Sequence, residues 1–170
     1  MGEIRSTLDI IMEKTKGLTM SAEEKEAFHK KETEGKVRGI LQKYVDGVFT
    51  LDRVKIELDG LGPSKQVMAI NLVKESCLGR IEPGRDNSRL LKPLRDLAGL
   101  DTEPIQRLLA KCDGELALKR EQRAKELLKR LKKSGISGSA VIPHIDADEE
   151  WKNFILKTKQ GFQARLRELV

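Results

Sequence analysis

The chain has 170 residues, of which 38% are hydrophobic, 35% charged and 4% aromatic, and its formal net charge is +6. This length suits one domain with an aliphatic core, and the shortage of aromatic residues favours helices over strands. No apolar run reaches the length of a membrane-spanning helix, and two cysteines, Cys77 and Cys112, are too few for a disulfide framework. We therefore expect a helical cytoplasmic protein with free, buried thiols.

The N-terminal part predicts two helices of different character. An apolar stripe of Ile4, Leu8 and Ile11 indicates a short first helix that is closed at Gly17. Ser21 with a glutamate three residues later forms a capping box that opens the second helix. The first half of that helix is almost entirely polar and its second half is apolar. We expect it to project at one end and to pack at the other.

Three short helices are expected to follow. Thr50 caps a helix that runs to Asp59, Pro63 opens another that reaches Gly79, and Asp86 or Asn87 caps a third. Pro93 is expected to kink or shorten that third helix. Glycines 17, 47 and 99 each precede an apolar residue and then a hydroxyl residue, which is typical of a helix stop followed by a helix start.

The C-terminal part predicts a long helical hairpin. Thr102 is expected to cap a helix that extends to Lys133, and the pattern leaves open whether it continues through Gly114. A non-helical connection follows, and Asp146 with Glu149 three residues on predicts the start of the last helix. The apolar stripe of that helix predicts antiparallel packing on its neighbour; its members are Trp151, Ile155, Thr158, Phe162, Leu166 and Leu169.

Together these elements predict an all-α fold, a helical bundle of about six to seven helices with a long C-terminal antiparallel helical hairpin. We assign residues 1–101 to a short-helix bundle and residues 102–170 to the hairpin, and we expect the two to form one cooperative domain.

The net charge is concentrated in residues 119–133, where eight basic residues face two acidic ones. One interpretation is a phosphate-contacting face, and the other is a solvated helix end favoured by the macrodipole. The acids between Asp146 and Glu150 are expected to neutralise Lys132 and Lys133, and Arg120, on the apolar arc, is expected to find a carboxylate, an intermolecular contact or solvent. The candidate anion or nucleic-acid contacts are Arg120, Arg123, Lys125, Lys129, Arg130, Lys132 and Lys133.

The connection GISGSAVIPHID offers a second candidate surface, a partner-docking loop made of Ile136, Ser137, Ser139, Val141 and His144. Its apolar residues alternatively anchor it to the core, through Ala140, Val141, Ile142 and Ile145. A third interpretation is an enzyme built around His144 with Ser137 or Ser139. The loop lacks the Gly-x-Ser-x-Gly elbow and the phosphate-binding Gly-Lys-Ser/Thr, so no catalytic constellation is predicted.

Neither His29 nor His144 lies at metal-ligand spacing from a cysteine, so the sequence predicts no metal and no cofactor. The opening MGEIRSTLDIIMEKTK and the loop GISGSAVIP resemble an uncharacterised family of small α-helical bacterial proteins. That resemblance implies a helical bacterial protein and transfers no functional residue. We predict a non-enzymatic interaction or scaffold protein that meets a protein partner or a second copy of itself. The alternative is a nucleic-acid- or ribosome-associated protein that binds through residues 119–133.

Overall fold

The computed structural model describes residues 21–170, which form six α-helices and one short 3₁₀ helix and contain no strand. The all-α fold with its C-terminal antiparallel hairpin is therefore confirmed. The predicted helix around Ile4, Leu8 and Ile11 lies outside the described residues. The helices are α1 (Ala22–Val45), α2 (Leu51–Asp59), α3 (Pro63–Leu78), α4 (Ser88–Asp96), α5 (Glu103–Lys133) and α6 (Glu149–Leu169), with the 3₁₀ helix at Ile145–Ala147.

Helices α1 to α4 pack into a short-helix bundle, in which α1 contacts α2, α3 and α4. Its core is aliphatic, with Val37, Val54, Val73 and Leu94 fully enclosed. The same core continues into the first third of α5 and the last third of α6, through residues such as Ile105 and Phe162. None of the helices described in residues 21–170 combines the length and the apolar composition that a membrane crossing requires.

Several helix ends form as the sequence predicts. The Ser21 hydroxyl accepts from the Glu24 amide at 3.1 Å while the Glu24 carboxylate accepts from the Ser21 amide at 2.8 Å. The Thr50 hydroxyl accepts from the amide of Arg53 at 3.3 Å. Gly47 and Gly99 adopt positive φ values of 81° and 63°, the left-handed conformation that glycine takes at helix ends.

Two predicted caps, those of Thr102 and Asp146, are wrong. Thr102 makes no capping bond, and Asp101 instead accepts from the first amide of α5 at 3.0 Å. Asp146 lies in the 3₁₀ helix, and Asp148 caps α6 by accepting from the amide of Trp151 at 3.0 Å. Asp148 is the residue directly before α6, whereas Asp146 lies within the 3₁₀ helix that precedes it.

Asn87 stands at the N-cap position of α4 but does not cap it with its side chain. Its amide nitrogen donates to the backbone carbonyls of Glu82 and Arg85, both at 2.9 Å, and its amide oxygen accepts from the Glu82 amide at 3.1 Å. Asp86 accepts from the amide of Ser88 at 2.9 Å. The side chain of Asn87 is therefore committed to holding the connection between α3 and α4.

Helix α5 is continuous through Gly114 over 31 residues, which corresponds to about 46 Å at 1.5 Å per residue. Its buried apolar residues, Ile105, Leu109 and Cys112, all lie near its start; beyond them, Arg123 is the one α5 residue that is buried. The second half of α5 therefore leaves the core with α6 as its helical partner. We call residues 117–155 the arm.

Candidate interaction surface on the hairpin arm

A buried arginine, Arg123, links the two helices of the arm. Arg123 is 3% exposed at its side chain and meets Asp148, 13% exposed, in two parallel hydrogen bonds of 2.7 and 2.8 Å. Its remaining terminal nitrogen contacts Glu126 and Glu150, each at 2.7 Å. A single guanidinium on α5 thus contacts Glu126 on the same helix, Asp148 at the N-cap of α6 and Glu150 in the first turn of α6.

Both partners of this pair are held in their charged forms. The hydrogen bond from Arg123 lowers the pKa of Asp148 from 3.8 to about 2, with a further contribution from the Trp151 amide and against the opposing effect of burial. The same hydrogen bonds raise the pKa of Arg123. The structure places Arg123 inside the arm rather than on its surface, so we do not retain it as a polyanion contact.

The acids at the start of α6 do not meet Lys132 and Lys133, contrary to the prediction. Asp146 lies 3.4 Å from Arg120, and Glu150 lies 3.8 Å from Arg130 in addition to its contact with Arg123. The reason is how α5 and α6 are aligned along their length. Ten residues of helix, roughly 15 Å, separate Arg123 from the end of α5, so α5 extends past the level at which α6 begins.

Four lysines occupy the outer face of this overhanging end. At 100° per residue, Lys125, Lys129, Lys132 and Lys133 fall within an arc of about 100° that lies between about 80° and 180° from the direction of Arg123. All four are exposed. Lys125 pairs with Glu121 at 2.5 Å, whereas the other three form no ion pair with any residue in the range 21–170. We call these four residues the lysine row.

The connecting loop is exposed rather than packed. Residues 132–140 are all exposed, and Ile136 and Ile142 present 52% and 87% of their surface to solvent. The core-anchor interpretation is therefore wrong for Ala140 and Ile142, while Val141 and Ile145 are half-buried. The arm tip, which we define as residues 132–142, thus combines lysines with exposed aliphatic side chains.

The loop does not assemble a catalytic group. Ser137, Ser139 and His144 are all exposed, and no hydrogen bond joins the imidazole to either hydroxyl in the described part of the chain. Within residues 21–170, no three His, Cys, Asp or Glu side chains are grouped as a metal site would need. Both histidines therefore stay surface residues in this geometry.

A small aromatic cluster, separate from the main core, supports the arm from the other side. Trp151 is 4% exposed and stacks on Phe154 with ring centroids 6.2 Å apart. Arg120 lies over the Trp151 ring at 5.8 Å and Lys119 over the Phe154 ring at 5.9 Å. Arg120 therefore has the carboxylate contact expected of it, yet its side chain stays 52% exposed.

Sequence reasoning missed the pairing of Arg123 with Asp148 and the isolation of Trp151 from the core. The available signal was Asp148 followed three residues later by Trp151, because an N-cap aspartate accepts from the amide three residues on and so fixes where that ring enters the fold. The predicted candidates separate into a buried residue, Arg123; two contacts on the α6 side, Arg120 and Arg130; and the lysine row.

Comparison of the chain with protein-family models, with curated proteins and with solved structures yields no match. The resemblance to small helical bacterial proteins stays a prediction, and the geometry of the arm carries the functional argument.

Proposed function

We propose that the protein is a non-enzymatic interaction protein of the cytoplasm whose arm tip docks on an acidic protein surface. The observation that carries this proposal is the juxtaposition of the lysine row with the exposed Ile136 and Ile142 at the end of an internally braced arm. Apolar side chains provide contact area, and the lysine row provides orientation and a fast encounter.

The bracing matters because it lowers the entropic cost of binding. Arg123 and Asp148 fix α6 against α5, and Trp151 packs beneath them, so the arm presents its tip without first having to fold. The carboxylates of Asp148, Glu126 and Glu150 are already engaged by Arg123 on the inner side. Lys129, Lys132 and Lys133, which form no ion pair within residues 21–170, are exposed on the outer face and are left for a partner.

A protein partner is favoured over RNA or DNA by the side chains around the lysine row. Sequence-tolerant nucleic-acid binding usually adds aromatic platforms on which bases stack. In the arm, Trp151 is buried and Phe154 is half-buried, and the exposed apolar residues of the tip are aliphatic. Nucleic-acid binding through the same lysine row is the alternative, because three of its cations make no ion pair within residues 21–170.

The test places a photo-crosslinking amino acid at position 136 of the full chain in living cells and identifies what is captured. The captured molecule is then purified, and its affinity for the protein is measured against salt concentration. We expect a protein with an acidic surface, whose affinity falls by about tenfold or more when Lys125, Lys129, Lys132 and Lys133 are all changed to Gln.

The matched control changes four other exposed lysines to Gln, one each on α1, α2, α4 and α6, namely Lys30, Lys55, Lys92 and Lys157. It removes the same net charge and should leave the affinity within about twofold. Capture of RNA or of a second copy of this chain would overturn the acidic-protein proposal in favour of that partner. Equal losses in both quadruple variants would reduce the effect to net charge and would also refute it.

A further inference from the structure

A cleft of about 360 Å³ lies where the connection between α3 and α4 meets the base of the arm. Pro83, Leu116 and Ile155 supply apolar walls, and the Trp151 indole completes them. Its volume is at the small end of the ~300–1,000 Å³ range typical of ligand sites. We propose that this cleft binds a small carboxylate with an aliphatic body, held by Arg120 and the indole N–H of Trp151.

The first observation behind this proposal is an unsatisfied donor. The Nε1–H of Trp151 is fully buried and has no hydrogen-bond partner among residues 21–170. A buried indole N–H normally finds an acceptor, because leaving it unpaired forfeits its hydration without replacement. Trp151 is also one of the residues that line the cleft, and we infer that an acceptor bound there can be brought to this donor.

The second observation is the state of the cations around the cleft. Lys159 and Arg85 both contact the carboxylate of Glu82, at 2.9 and 3.2 Å, and are therefore committed. Asp113, the one carboxylate among the described residues that line the cleft, accepts from the amide of Gly84 at 2.6 Å. These groups hold the connection between α3 and α4 against the hairpin.

Arg120 is held much less firmly by its carboxylate partner. Its contact with Asp146 is long, at 3.4 Å, its side chain is half exposed, and it lies over the indole ring. A guanidinium that donates two parallel hydrogen bonds to a carboxylate forms a stronger pair than this single long contact. When Arg120 turns from Asp146 to an incoming carboxylate, it uncovers the indole, and the second oxygen then reaches the N–H.

The available hydrogen-bond donors and the apolar walls of the cleft indicate the class of ligand. One available guanidinium and one N–H satisfy a carboxylate, whereas a phosphate carries more charge and more acceptors than these two groups can serve. The apolar walls call for an aliphatic portion next to the carboxylate. This site is distinct from the lysine row and does not depend on the proposed function of the arm tip.

The chain contains one tryptophan, so its indole N–H gives a single resonance in a ¹H–¹⁵N spectrum of the full-length protein. Hexanoate and hexanamide are titrated to ~10 mM, since they share a body and differ in charge. We expect a saturable downfield shift of the indole proton with hexanoate and none with hexanamide. Arg120→Gln should weaken hexanoate binding by about tenfold or more.

Arg107→Gln is the matched control, because Arg107 is an exposed arginine of the same helix and its one ion pair within residues 21–170 is with Glu103. It should leave hexanoate binding unchanged. Arg120→Lys keeps the positive charge but lacks the planar guanidinium, so it should bind hexanoate with intermediate affinity. This variant replaces Arg120→Gln if the Gln substitution disturbs the arm. No saturable indole shift, an equal response to hexanamide, or unchanged binding in both Arg120 variants would overturn the proposal.

Discussion

The guanidinium of Arg123 and the carboxylate of Asp148 face each other in a buried, bidentate pair, 25 residues apart in the chain. The pair lies in the part of the hairpin where α5 has left the core. There it fixes how α5 and α6 are aligned along their length, as apolar packing does nearer the bundle. Because Asp148 also caps α6, the same carboxylate decides where α6 begins and how it lies on α5. A buried ion pair need not add much net stability, and we infer that this one serves to fix the register of α5 and α6.

Removing the arginine should open the arm while leaving the bundle folded. Arg123→Gln leaves three neighbouring carboxylates without their shared cation, so we expect acrylamide quenching of Trp151 fluorescence to rise about threefold or more. Urea unfolding followed by circular dichroism should show the α1–α4 bundle intact. Arg107→Gln should change neither signal, because exposed pairs contribute little. Additive quenching effects of Arg123→Gln and Asp148→Asn in the double variant would contradict direct coupling of the two side chains.

The arm should also loosen in acid. The folded-state pKa of Asp148, about 2, is below its ordinary value of 3.8, so its stabilising contribution is present above that ordinary value. It is lost as the pH falls from about 5 towards 2, because protonation then competes with the ion pair. We expect Trp151 emission to shift to the red across that interval in the native chain.

The same acid titration of Asp148→Asn should show an arm that is already loosened at neutral pH and responds less to acid. Glu103→Gln, which removes an exposed carboxylate outside the arm, should retain the native profile. A native profile in Asp148→Asn would show that other carboxylates control the opening.

Gly114 offers a stabilising substitution. It lies inside a continuous helix, and an added Cβ there meets no atom within 4 Å. Gly114→Ala should therefore raise the free energy of unfolding by about 0.5–1 kcal/mol, because it reduces the backbone freedom of the unfolded chain. Gly161→Ala in α6, which is equally unobstructed, should act likewise and additively. A loss of stability in urea unfolding would refute the continuous helix.

Gly47 should respond in the opposite sense. Its φ is 81°, and an added Cβ would lie 2.8 Å from a terminal nitrogen of Arg89. That arginine donates to the carbonyls of Val45 and Tyr44 at 3.0 and 3.3 Å, so it closes the end of α1 from α4. We expect Gly47→Ala to lower the free energy of unfolding by about 1–3 kcal/mol.

Gly62→Ala is the comparison for that change, because Gly62 has a φ of 88° and open space around it. It carries the backbone strain without the collision and should cost less than Gly47→Ala in the same urea measurement. Equal costs would show that the contact with Arg89 adds nothing.

The two thiols should be unreactive in the folded protein. Burial raises the pKa of Cys77 from 9.0 to about 11, which leaves roughly 100-fold less thiolate at neutral pH, and burial also raises the pKa of Cys112. Reaction with Ellman's reagent at pH 7 should be slow in the native state and rapid for both thiols in urea. Cys77→Ser and Cys112→Ser report each thiol separately. Rapid native reaction of either one would contradict its burial.

Local signals predicted the helices and many of the residues at which they begin and end. The capping box of Ser21, the Thr50 cap and the left-handed Gly47 and Gly99 all form, because each depends only on residues within one or two turns. The same local reasoning failed at Asp146 and Asp148. Both are good caps, and the choice between them depends on which one lies opposite Arg123.

The site was predicted as a set of residues but not as an arrangement. Charge counting found the basic stretch, and the helical wheel separated its faces, yet neither indicated that Arg123 is buried while Lys129, Lys132 and Lys133 are exposed. Periodicity also placed Trp151 and Phe162 on one apolar stripe. Phe162 joins the main core, whereas Trp151 forms a separate cluster with Phe154.

The sequence by itself determined the helical class, the approximate helix boundaries and the concentration of positive charge in α5, because periodicity, capping and composition act over a few residues. Only the tertiary structure decided how far α5 overhangs α6, which cations are neutralised, and that the N–H of Trp151 has no acceptor among residues 21–170. These depend on the register between two helices joined by a long loop, and that register is set by a buried charge pair whose partners lie 25 residues apart.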